Sequence, residues 1–249
     1  MIYWVVFILS ASSLAFEVLL ARIFSISPWN HLSFMVISIA LFGFGASGTF
    51  LSLLDARRPE WEQRFSRPSF LLRLVIFYSL SAVIAFGGLN RLPIDYFRLP
   101  LEPIQVLYLL TAYLLLSIPF FFTGMIMSIG FAALPDKTGL VYCAGMTGSA
   151  LGAVLPALWL RTLGEGRMVL SAALIPLLLP LLGDLKRREG RWTALWAAVT
   201  LAVLAGGIHY TGIFDDLKWI RPSPYKALSQ VLQFPNTEVM ETRSGLRGR

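Results

Sequence analysis

Residues 104–134 read IQVLYLLTAYLLLSIPFFFTGMIMSIGFAAL, thirty-one positions without one charged side chain. A bilayer's hydrocarbon core is crossed by about 20 apolar residues in a helix, so this run is more than long enough. No water is available inside a membrane to satisfy exposed backbone groups. An uninterrupted apolar run of this kind therefore reads as a helix, not as a barrel strand. Working outward, six more segments have the same character: roughly 2–27, 32–54, 69–90, 138–160, 167–183 and 191–213. The expected fold is an all-α polytopic transmembrane bundle of about seven spans, residues 1–213, followed by a polar C-terminal tail, 214–249.

Composition agrees. The 249 residues are 56% hydrophobic and 14% charged, with a mean hydropathy of +0.69. Soluble domains carry roughly 25% charged residues. A soluble globular enzyme, a disordered chain and a nucleic-acid binder are all excluded on that ground. The net charge of +7 sits mainly between apolar runs, where arginine and lysine set membrane topology. One cysteine, Cys143, and two distant histidines, His31 and His209, give no disulfide framework and no ligand-spaced metal cluster. No phosphate loop or catalytic triad is present, and no cofactor is expected. The first residues, MIYWVVFILS, lack the basic start of a secretory signal and read as the first span.

The loops decide orientation. One set, 55–68, Lys137 and 183–191, holds nine basic residues: Arg57, Arg58, Arg64, Arg67, Lys137, Lys186, Arg187, Arg188 and Arg191. The other holds five: Arg22, Arg91, Arg98, Arg161 and Arg167. The positive-inside rule then predicts a cytoplasmic N-terminus in a bacterial inner membrane, and an external tail. Tyr3, Trp4, Trp29, Trp159 and Trp192 fall near span ends as interfacial anchors.

Within the spans, few residues are unexpected. Glu17 stands deep in the first, with Arg22 five positions on. An intramembrane carboxylate is costly and marks either a functional site or a structural anchor. Five residues is a poor spacing for pairing the two on one helix face. The second span holds Gly43-Phe-Gly45-Ala-Ser-Gly48, a GxGxxG string. A dinucleotide site needs that string between a strand and a helix, so close helix packing is the better account. Gly148 and Gly152 recur four apart beside Ala144, Gly145 and Ser149, the spacing that lets two helices approach closely. Pro119 sits near the middle of the 104–134 run, with Gly124 beyond it, as a kink. Tyr108, Thr111, Tyr113, Ser117 and Thr123 are candidates for a polar seam along that helix.

Four stretches together carry a resemblance: LAFEVLLARIFSI (14–26), ALFGFGASGTFLSLLDARR (40–58), SIPFFFTGMIMS (117–128) and GLVYCAGMTGSALGAVLPALWL (139–160). They resemble the membrane region of spermidine-synthase-like integral membrane proteins. Glu17 and Arg22 match that family's first span, Gly43, Gly45 and Gly48 its glycine-rich second, Pro119 and Gly124 its Pro-then-Gly helix, and Gly148 and Gly152 its small-residue helix. The tail from Arg221 resembles the linker into the family's catalytic domain. The resemblance implies a domain beyond Arg249 that binds decarboxylated S-adenosylmethionine or a related nucleotide, and no chemistry in these 249 residues. It also implies a cytoplasmic catalytic domain, whereas the charge count places the tail outside; both stand open. A second likeness, through the glycine-rich second span and Asp55, Arg57 and Arg58, is to half of a major facilitator transporter. Two other functions follow as expectations: a bundle moving a small amine or other solute through Glu17, and an accessory subunit of a larger membrane complex. The expected partners are the lipid bilayer, other membrane subunits or the missing C-terminal domain, and no nucleic acid.

Overall fold

A computed structural model describes residues 2–26, 34–57, 67–94, 101–163, 165–181 and 188–210, and among them there is no strand. Five helices follow the long apolar runs: α1 (Ile2–Ile26), α2 (Met35–Arg57), α3 (Pro68–Arg91), α4 (Pro103–Ala133) and α5 (Thr138–Leu163). All five are long and apolar enough to cross a membrane. The polar tail 214–249, Trp29 and the centres of the two arginine-rich loops lie outside the described residues.

Proline sets the starts of two of these helices. Pro68 and Pro103 open α3 and α4 at positions where a missing N–H costs nothing. A short 3-10 turn, Pro135–Lys137, joins α4 to α5. Pro119 lies inside α4, which continues as helix through it. At 31 residues α4 is about 46 Å long at 1.5 Å per residue. That exceeds a hydrocarbon core of roughly 30 Å, so the helix tilts or projects beyond it.

The sixth apolar run is not one helix. It forms α6 (Glu165–Leu174), a 3-10 turn (Ile175–Leu177) and the four-residue α7 (Leu178–Leu181). Pro176 and Pro180 are the physical reason, since each removes the N–H that the helix would bond four residues back. The last run is α8 (Arg188–Tyr210). Described portions of these two segments, Gly166–Leu181 and Arg191–Leu204, are apolar but shorter than the other five.

Residue pairs fix the directions of packing. Phe7 and Ala11 of α1 stand against Gly148 and Gly152 of α5, in the same order, so the two helices run parallel. Gly43 and Ser47 of α2 meet Phe120 and Gly124 of α4, again parallel. Ser10 and Phe16 of α1 meet Met127 and Phe120 of α4 in reverse order. Phe77 and Gly88 of α3 likewise meet Phe122 and Leu115. Thus α1, α3 and α5 point one way and α2 and α4 the other, as five successive crossings require.

The centre of the bundle is α1. Val5, Val6, Leu9, Phe16, Leu19 and Leu20 are almost wholly buried. The outer faces of α2, α4 and α5 are apolar and exposed, with Leu41 at 66%, Leu107 at 55% and Leu158 at 64%. An apolar surface of that extent fits hydrocarbon chains, not water.

Candidate functional site

Apolar burial does not drive helices together in lipid, where the tails are as apolar as leucine; close packing and hydrogen bonds do. The candidate residues are therefore judged by what they touch. A methyl group added at Gly148 would overlap the Phe7 carbonyl, and one at Gly152 would overlap that of Ala11. Only glycine lets the α1 and α5 backbones meet there. Gly43 plays the same part between α2 and α4, where an added Cβ would lie 2.6 Å from the Ser117 carbonyl oxygen and 2.7 Å from Phe120 Cβ. Gly124 returns the contact, its face filled by Ser47 and Phe44. The glycine-rich second span and the Pro119–Gly124 segment thus form one interface. Gly45 and Gly48 do not share it: nothing among the described residues stands within 4 Å of a Cβ added at either.

Glu17 is half-buried, and so is Arg22. Glu17 lies seven residues after Ser10, almost two full turns, and hence on the same stripe of α1. Ser13 sits between them and is buried, as is Ser10. Ser10 donates to Met127 Sδ of α4 at 3.5 Å and has Gly145 of α5 on its other side. The stripe that carries Glu17 therefore faces the seam between α4 and α5. Glu17 and Arg22 are not brought together by α1 itself, since five residues turn the helix by about 140°.

The polar seam expected along α4 takes a different form. Thr111, Ser117 and Thr123 donate to carbonyls of their own helix, at Leu107, Leu114 and Pro119. Tyr113 is the one that reaches across, to Ser38 of α2 at 3.1 Å.

One buried polar cluster was not expected. Ser12 of α1 bonds the Tyr78 hydroxyl of α3 at 2.9 Å and donates to the Ala172 carbonyl of α6. That carbonyl is orphaned by sequence, because its helical partner would be the N–H of residue 176, which is proline. Ser12 supplies the missing donor. Three helices are tied at one point, with Tyr78 fully buried behind it. The signal in the sequence was Pro176; the position of Ser12, 160 residues away, was not readable.

Among the described residues no cluster of three or more His, Cys, Asp or Glu exists that could hold a metal ion. Compared with known proteins, no family model, no curated protein and no solved structure matches the chain.

Proposed function

We propose that the chain is the membrane-embedded helical scaffold of a spermidine-synthase-like membrane protein, with no bond-making chemistry in these residues. The observation that carries this is the placement of the motifs behind the resemblance. Gly43, Gly124, Gly148 and Gly152 all stand where helix backbones or side chains allow no Cβ. Those motifs serve the assembly of the bundle, as a scaffold requires.

The scaffold crosses the inner membrane seven times, from a cytoplasmic N-terminus. In favour of the sixth crossing, α6 to α7 covers about 27 Å, taking 1.5 Å per α-helical and 2.0 Å per 3-10 residue. Its path runs from Ala172 beside Ser12 to Leu179 in the cluster of Val5 and Leu72, antiparallel to α1. The seventh is α8, 23 residues and about 34 Å.

The test uses purified chain with decarboxylated S-adenosylmethionine and putrescine. No aminopropyl transfer is expected, and turnover above a heat-killed control overturns the scaffold.

A second function is favoured by one observation, the stripe of Ser10, Ser13 and Glu17 against the α4–α5 seam. There Glu17 binds a proton or an amine cation in transport. In proteoliposomes, Glu17→Gln then abolishes uptake of labelled polyamine while the melting temperature stays unchanged. A lowered melting temperature with no uptake in either protein assigns Glu17 to structure.

A further inference from the structure

Between α3 and α8 runs a half-enclosed groove of about 710 Å³, lined by Arg73, Ile76, Phe77 and Leu80 of α3 and by Trp192 and Trp196 of α8. That volume lies in the range of small-molecule sites, but the lining is mostly apolar and opens on the lipid-facing side of two helices. We propose that this groove holds one anionic phospholipid, its phosphate on Arg73 and an acyl chain along Phe77 and Leu80.

Arg73 is the reason for an anion. It lies six residues past Arg67, the residue that caps α3, and so about 9 Å along the helix. A guanidinium at that depth is costly unless paired or able to reach the interface. Arg73 is exposed, and no carboxylate among the described residues pairs with it. Its planar fork matches two phosphate oxygens at once. A phosphodiester at the headgroup level satisfies it without pulling it out of the groove.

The groove also has the layering of a lipid. Trp192 and Trp196 are exposed, 53% and 61%, and tryptophan favours the boundary between headgroups and chains. Away from Arg73, along α3, follow Phe77 and Leu80, with no charged side chain until Arg91. The α3–α8 pair begins at the end of the bundle where the chain carries Arg67 and Arg191, both exposed. Basic residues at a membrane face enrich anionic lipid beside them. Charge selects the headgroup and the apolar wall takes the chain.

Delipidated full-length protein is titrated with phosphatidylglycerol and with phosphatidylcholine of the same chains, and bound lipid is read by native mass spectrometry. Phosphatidylglycerol is expected to bind about tenfold more tightly: both lipids carry the phosphodiester, but the choline cation of phosphatidylcholine cancels the headgroup charge and repels the Arg73 guanidinium. Arg73→Gln removes that preference, Arg73→Lys keeps part of it, and Arg91→Gln, on the far end of α3, leaves it unchanged. Trp196→Ala weakens both lipids alike. Equal binding of the two lipids by the unaltered protein overturns the proposal, as does a preference that survives Arg73→Gln. Full displacement of phosphatidylglycerol by inorganic phosphate also overturns it, in favour of a site for the free anion.

Discussion

At the scale of single residues, glycine is meaningful only where a neighbour leaves no room for Cβ. Gly43, Gly45 and Gly48 stand close in sequence, yet two residues turn a helix by about 200°, so Gly43 and Gly45 face opposite ways. Gly43 meets α4 and Gly45 meets nothing described. A GxGxxG string cannot therefore press all its glycines on one partner. The contrast gives a paired prediction. Gly152→Ala forces α1 and α5 apart and destabilises the bundle by about 1–3 kcal/mol, the usual cost of overpacking. Gly45→Ala costs nothing and gains up to about 1 kcal/mol from helix propensity. Unfolding of the purified protein by sodium dodecyl sulfate in mixed micelles measures both. Equal effects at the two positions would remove the backbone contact from the account of stability.

At the scale of elements, a proline break in one helix is matched by a serine in another. Pro176 leaves the Ala172 carbonyl without its helical donor, and the Ser12 hydroxyl fills the place while also bonding Tyr78. Interhelical hydrogen bonds in membranes average about 0.6 kcal/mol and reach about 1.7. Ser12→Ala is expected near the upper end, because it strands both a carbonyl and a buried tyrosine hydroxyl. In a Pro176→Ala background the new N–H can serve Ala172, and Ser12→Ala then costs less by about 0.5–1 kcal/mol. An unchanged cost in both backgrounds means that the hydroxyl serves Tyr78 alone. The same site marks the limit of the sequence. Five long helices were legible from apolar length alone, because lipid leaves the backbone no other way to be satisfied. The run 167–183 read as one span because its apolar length outweighed Pro176 and Pro180, which divide it. What they required was a donor from residue 12, and no local pattern relates positions so far apart. The Glu17 stripe was half legible: its cost inside a membrane is evident from residue type, but the α4–α5 seam it faces depends on three helices.

At the scale of the whole molecule, helix direction and charge bear on the same question. Since α1, α3 and α5 are parallel, the connection before α3 and the turn at Lys137 lie at the end where α1 begins, and the connection before α4 lies at the other. The nine basic residues of 55–68, Lys137 and 183–191 then share a side only if α6–α7 crosses as well. Six crossings would bring the tail back to the side of the N-terminus, while seven send it across. Single cysteines decide between them in a Cys143→Ser background, since Cys143 is itself exposed. With a membrane-impermeant thiol reagent on intact spheroplasts, cysteines replacing Asp95 and Ser223 are expected to label. One replacing Glu62 labels only after permeabilisation. Labelling of positions 62 and 223 on one side means that one of the last two segments does not cross. Labelling of 62 but not 95 inverts the bundle, and the arginine-rich loops would then face outward against the usual charge bias. The anionic lipid on Arg73 depends on this outcome too, because Arg73 lies at the end of α3 that follows residue 62. Its headgroup belongs to whichever leaflet that position reports.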